Sequence, residues 1–154
     1  MSQAAKPSQE YLKNAVLTAT PEQLHLMLYD GALRFATRGQ EAIRAKDREA
    51  AFTALERAQL IVLEMSAGIR RDINPEIADR MAALYNFVYR RLIEANINQD
   101  EQAAEDALRI LRYQRETWVL LMEKLKKEGV AAPGPSAPTA GPDTDEGSRF
   151  VAEA

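Results

Sequence analysis

The sequence predicts an all-α protein: an antiparallel, up-down four-helix bundle, preceded by a short amphipathic segment and followed by a disordered tail. Three observations carry this. Between residues 20 and 128 the helix breakers are few, and both prolines, Pro21 and Pro75, stand directly after a capping residue. Four long stretches repeat apolar residues at three- and four-residue steps, and none alternates as a strand would. The connections between them span only about two to five residues, which turns each helix back along the one before it.

The first bundle helix opens at Thr20-Pro21-Glu22-Gln23, an N-cap, a proline at the first helical position and a Gln that can complete a capping box. It should run to Ala45 or Lys46. Asp47 caps a second helix reaching to about Arg71. Asn74-Pro75-Glu76 repeats the cap-then-proline signature and opens a third, ending near Asn96. Asp100 opens the fourth, whose last turn carries Lys124, Lys126 and Lys127 before Gly129, so acids start it and bases end it in accord with the helix dipole. Each helix is roughly 22–28 residues, or about 33–42 Å, long. The bundle is thus expected over 20–128, behind a flexible cap segment, 1–19.

The stripes that should form the core follow the same spacing. They are Leu24, Met27, Leu28, Gly31, Phe35, Ala42 and Ile43; then Phe52, Leu55, Val62, Met65, Ser66 and Ile69. The third helix offers Ile77, Met81, Leu84, Tyr85, Val88, Leu92 and Ala95. The fourth offers Ala104, Ala107, Leu108, Leu111, Trp118, Leu121, Met122 and Leu125.

Charge divides the chain unevenly. Of 154 residues, 20 are Lys or Arg and 23 are Asp or Glu, giving a net charge of −3. Asp143, Asp145, Glu146 and Glu153 against Arg149 place all of it in 129–154, and residues 1–128 are neutral. Four of the seven prolines lie in the same stretch, which reads as a disordered Pro/Gly-rich acidic tail. With no cysteine there is no disulfide scaffold, thiolate nucleophile or Cys-ligated zinc. A single histidine argues against most metal sites and against a Ser-His-Asp triad. No signal-peptide pattern and no membrane-spanning run is present, so the composition fits a soluble cytoplasmic protein.

Chemistry is equally scarce in the motifs. Glu22 and His25 match metal-ligand spacing once, in a first turn that reads better as a solvated helix start. Asp30 reads as a surface or polar-contact residue. The Arg70-Arg71 and Arg90-Arg91 steps lie near acids within a neutral domain, which weighs against nucleic acid. No catalytic residue, cofactor or metal is expected.

What the sequence has in excess is apolar surface. Beside each core stripe runs a second: Leu26, Tyr29 and Leu33; Leu60, Ile61 and Leu63; Phe87, Tyr89 and Ile93; Ile110, Tyr113 and Leu120. These either wrap toward neighbouring helices, seal a homodimer, or form grooves for an amphipathic partner helix. Tyrosine, with its polar end, favours an interface. The preceding piece, Glu10 to Leu17, is too short for a stable helix alone. It can dock Tyr11 and Leu12 on the bundle and shield that surface.

Val16-Leu17-Thr18-Ala19-Thr20-Pro21-Glu22-Gln23-Leu24, running into Leu26-Met27-Leu28-Tyr29-Asp30-Gly31-Ala32, resembles the opening of the flagellar export chaperone FliS family. The resemblance continues through Ala58-Gln59-Leu60-Ile61 and Leu84-Tyr85-Asn86-Phe87-Val88-Tyr89-Arg90-Arg91-Leu92-Ile93-Glu94-Ala95-Asn96, then Asp100 and Trp118. It covers about residues 8–128; the tail is outside the family pattern.

The resemblance implies a cytoplasmic four-helix chaperone that binds the disordered C-terminal region of flagellin, which becomes partly helical. Binding prevents premature polymerisation and supports delivery to the flagellar type III export apparatus. It also implies that the segment bearing Tyr11 covers part of the binding surface. The partner-binding candidates are Tyr11, Leu12, Leu26, Tyr29, Leu33, Ile61, Tyr89, Ile93, Ile110 and Tyr113, the last eight from the second stripes. A self-associating structural or adaptor bundle is the alternative.

Overall fold

The computed structural model describes residues 8–72 and 74–129. The expectations placed on residues 1–7 and on the acidic tail from 130 onward fall outside the described residues. Among the described residues there are five helices: α1 Gln9–Thr18, α2 Pro21–Arg44, α3 Arg48–Ala67, α4 Pro75–Asn98 and α5 Glu101–Glu128. The last four are the bundle.

Their starts are set by local chemistry. The Thr20 hydroxyl accepts the Gln23 N–H at 3.1 Å while the Gln23 side chain accepts the Thr20 N–H at 2.9 Å, closing the capping box. Asp47 accepts from the Ala50 N–H, Asn74 from Ile77, and Asp100 from both Gln102 and Ala103. Gly129, at φ 70, ends α5 in the left-handed conformation that glycine adopts without strain.

Two boundaries differ from expectation. The segment ahead of the bundle is a full helix, α1, capped by the Ser8 hydroxyl on the Tyr11 N–H at 3.0 Å. And α3 stops at Ala67, capped by Gly68, instead of continuing to Arg71.

Side-chain pairs fix the directions. Along α2 and α5, Arg44 meets Glu101, Gln40 donates to Glu105 at 2.9 Å, and Arg115 meets Asp30. The numbers fall on one helix as they rise on the other, so the pair is antiparallel. Asn96 donates to Gln59 between α3 and α4, and Arg91 meets Asp106 at 2.6 Å between α4 and α5. Helices α2 and α4 therefore occupy opposite corners, each packed on α3 and α5.

The centre is lined largely by small residues on α2 and α5. On α2 the buried line is His25, Tyr29, Ala32, Ala36, Gly39 and Ile43, while Leu24, Leu28 and Phe35 sit half-buried at its flanks and Met27 is exposed. At Gly39 a Cβ would stand 2.5 Å from Leu55, so glycine is what lets α3 approach. Ala51, Leu55, Ala58, Val62 and Met65 take the inner face of α3, leaving Phe52 rotated away and 53% exposed. Small residues where helices touch bring the backbones close, and the larger side chains then fill the sides.

The half-buried Phe35 ring is surrounded by the guanidiniums of Arg34, Arg38 and Arg57 at 4.9–5.4 Å.

Candidate functional site

Helix lengths decide where the bundle is incomplete. The Asn96–Gln59 pair sets Ala67 roughly level with Val88, so the first three turns of α4 run past the end of α3. Opposite them, the Arg91–Asp106 pair brings α5 from Tyr113 onward alongside Leu84, Met81 and Ile77. Beyond the end of α3, α4 and α5 border a groove of about 470 Å³.

Its walls are Ile77, Ala78, Met81 and Leu84 of α4 and Tyr113, Gln114, Thr117, Trp118 and Leu121 of α5. Met65 and the connection residues Gly68, Ile69, Arg70 and Asn74 close the end, and His25 and Tyr29 lie beneath. Ile77 and Leu84, placed in the core by their spacing, are exposed walls of this groove instead. The reason is the early stop at Gly68: the stripe on α4 is continuous, but α3 covers only part of it.

Beneath the groove lies a buried polar chain. His25 is only 3% exposed, which corrects the expectation of a solvated helix start. It is enclosed because α5 runs on past the start of α2, where the Trp118 indole donates to the Glu22 carbonyl at 3.3 Å and lies edge-on to the imidazole at 4.5 Å. The His25 Nε2 is 3.3 Å from the Tyr85 hydroxyl, which meets the Tyr29 hydroxyl at 2.8 Å. Burial lowers the His25 pKa to about 4 and raises those of both tyrosines, so all three are neutral near pH 7.

Most of the other ionisable groups singled out in the sequence are engaged in ion pairs. Asp30 pairs with Arg115, Arg70 with Asp72 at 2.6 Å, Arg71 with Asp79, and Arg91 with both Glu94 and Asp106. Among the described residues no group of three or more His, Asp or Glu could hold a metal ion, and no helix is long and apolar enough to cross a membrane.

The second-stripe residues separate into groups. Tyr113, 66% exposed, stands on the groove wall. Tyr29 is not on a surface stripe at all: it is 2% exposed, because its position on α2 faces the bundle axis, and it meets the groove only from below. Leu33 joins Val119 and Leu120 in a shallow cleft between α2 and α5, edged by Arg112 and Arg115. Leu26, Ile61, Tyr89 and Ile110 lean half-buried on the core, and Ile93 is half-buried on α4.

On α1, Tyr11 is 65% exposed, and Leu12, Val16 and Leu17 are also exposed. Tyr11 lines a small cleft with Gln23 and Met27 at the α1–α2 joint while most of its side chain stays exposed. Sequence reasoning missed Ile69, Ile77, Met81, Leu84, Thr117 and Leu121 as groove residues. The signal was present in Gly68, a stop signal three residues short of where the helix was expected to end.

Comparison with known proteins bears on the family and the fold. The pattern defining the family described as "Flagellar protein FliS" matches residues 4–125. The chain is 34% identical over 122 residues to the flagellar secretion chaperone FliS of Bacillus subtilis (strain 168), covering 79% of this chain and 90% of that one. It is 33% identical over 118 residues to the protein of the same name from Salmonella typhimurium, covering 76% and 87%. A crystal structure of a flagellar chaperone from bacteria shares the fold, with a TM-score of 0.63 at 16% identity over 79% of this chain and 97% of that one.

Proposed function

Because the chain belongs to the FliS family of flagellar secretion chaperones, we propose that it binds the C-terminal segment of flagellin as an amphipathic helix in the groove between α4 and α5. One observation carries this reading: beyond the end of α3 the groove between α4 and α5 is long enough to be lined by several turns of both helices, and its walls are apolar. A helix laid there buries its own apolar face against Ile77, Met81, Leu84, Tyr113 and Leu121.

The same faces of the client drive its association with other flagellin subunits, so covering them prevents premature polymerisation. Ordering the segment costs conformational entropy, which favours a long contact of modest affinity per unit area, suited to later release at the export apparatus. This is a binding activity in the cytoplasm that asks nothing catalytic of the protein. Helix α1 is attached at the groove end of the bundle through Ala19 and Thr20, with Leu12 and Leu17 exposed. From there it can lie over part of the client surface, with Leu26, Leu33, Ile61, Tyr89, Ile93 and Ile110 extending that surface along the bundle.

The purified protein is expected to form a stoichiometric complex with full-length flagellin and none with flagellin lacking its C-terminal segment. Undiminished binding to the truncated flagellin overturns the reading. Light scattering that finds a stable homo-oligomer indifferent to flagellin would favour self-association through the second stripes instead.

A further inference from the structure

Within the apolar groove two buried side chains carry polar atoms that the fold leaves unmatched. His25 Nδ1 and Gln114 Oε1 have no hydrogen-bond partner among the described residues. Gln114 is 6% exposed, and His25 still less. Burying such atoms unmatched is costly and native folds rarely retain them, so two beside one groove call for an explanation.

Their placement relates them. Gln114 lies one turn before Trp118 on the inner face of α5, and the Trp118 ring sits edge-on to His25 at 4.5 Å. The two polar groups therefore flank one indole. Burial keeps the imidazole neutral, with one N–H and one lone pair. If Tyr29 donates to Tyr85 and Tyr85 donates to His25 Nε2, both hydroxyl protons are used and the imidazole proton sits on Nδ1. The reverse chain strands the Tyr29 proton as well as the Nδ1 lone pair, so the hydrogen-bond count assigns the first. The site then offers a donor at Nδ1 and an acceptor at Gln114 Oε1.

We propose that His25 and Gln114 form a polar reading position in the groove, taking from the client helix one side chain that donates and accepts together: an Asn or Gln carboxamide, or a Ser or Thr hydroxyl. This rests on the reading that the groove holds a helical segment of flagellin. Both atoms are closed off from solvent by their neighbours. His25 and Gln114 both line the groove, and a turn of the Gln114 amide about its terminal bonds is the movement this role requires. A charged client side chain is refused, since it would be desolvated with no opposite charge to meet it. Apolar walls discriminate weakly among apolar helices, whereas buried polar groups reject a helix that leaves them unmatched.

The test is a set of double-mutant cycles read by calorimetry with the full chain. Its probe is the flagellin C-terminal segment, with each Asn, Gln, Ser and Thr replaced in turn by Ala. At one position the replacement is expected to weaken binding about ten-fold for the wild type and less than two-fold for Gln114→Leu. Gln114→Leu itself should bind the unaltered segment about ten-fold more weakly while melting no lower than wild type. Should that variant not fold, Gln114→Met enters the same cycles, and the wild-type series still requires one sensitive polar position. Additive losses throughout, unchanged affinity in the Gln114 variant, or no sensitive position overturn this inference and leave the chaperone reading standing. No binding of the segment by the wild type overturns both.

Discussion

The hydroxyls of Tyr29 and Tyr85 meet at 2.8 Å in the middle of the bundle, joining α2 to α4 across the diagonal. Both side chains are fully buried, and the Tyr85 hydroxyl also reaches His25 Nε2 at 3.3 Å. Tyr85 is thus the shared member of the chain.

Removing the shared hydroxyl leaves two partners unmatched, and removing an end one leaves a single partner. Tyr85→Phe should therefore cost about 1–3 kcal/mol and Tyr29→Phe distinctly less. Urea unfolding followed by circular dichroism measures both. Equal losses would mean that the His25 contact contributes nothing.

The buried imidazole makes stability depend on pH in a defined window. Its pKa is lowered from 6.5 to about 4, so below pH 6.5 the unfolded chain takes up a proton that the folded one refuses. Stability is complete above about pH 6.5 and falls as the pH drops toward 4, by up to about 3 kcal/mol. His25→Gln has no such titration. Its melting temperature, followed from pH 7.5 to 4.5, should fall less steeply than that of the wild type, and parallel curves would contradict the assignment. Glu105, held below its ordinary pKa by Gln40, and Asp106, held there by Gln102 and Arg91, lose their contribution at lower pH in both proteins.

Two glycines of α2 should respond differently to alanine. In an open helix the change gains up to about 1 kcal/mol. At Gly39 the new Cβ meets the Cγ and Cδ2 of the fully buried Leu55 at 2.5 Å, and overpacking should destabilise by about 1–3 kcal/mol. At Gly31 the contact is 3.2 Å to the tip of the half-buried Ile61, which can turn aside, so Gly31→Ala should be near neutral. Thermal melts of the two variants decide it.

The groove wall separates binding from folding. Tyr113 is mostly exposed, so Tyr113→Ala should change the melting temperature little while weakening flagellin binding by about 1–2 kcal/mol. Leu108→Ala, one turn deeper in the closed core, should do the opposite, costing about 2–5 kcal/mol of stability. Calorimetric titration beside thermal melts distinguishes the two, and a Tyr113→Ala variant that binds normally would remove α5 from the client surface.

The starts of the four bundle helices were legible in the order of residues alone. Thr20-Pro21, Asp47, Asn74-Pro75 and Asp100 act through hydrogen bonds to residues two or three positions away, and such signals need no knowledge of the fold. Periodicity likewise placed Tyr85, Val88, Leu92, Leu108, Leu111 and Trp118 on buried faces. The family was legible too, since its long motifs lie within those helices.

Tertiary structure decided what periodicity leaves open. A stripe shows which residues share a face, but not whether a neighbouring helix reaches far enough to cover it. Ile77 and Leu84 became groove walls because α3 ends at Ala67, and His25 became buried because α5 runs on past the start of α2. Tyr29 moved from a supposed surface stripe to the axis because Ala32, Ala36 and Gly39 on its line draw α2 inward. Caps and stripes are properties of one helix, whereas coverage depends on the relative length and register of several, which only their packing fixes.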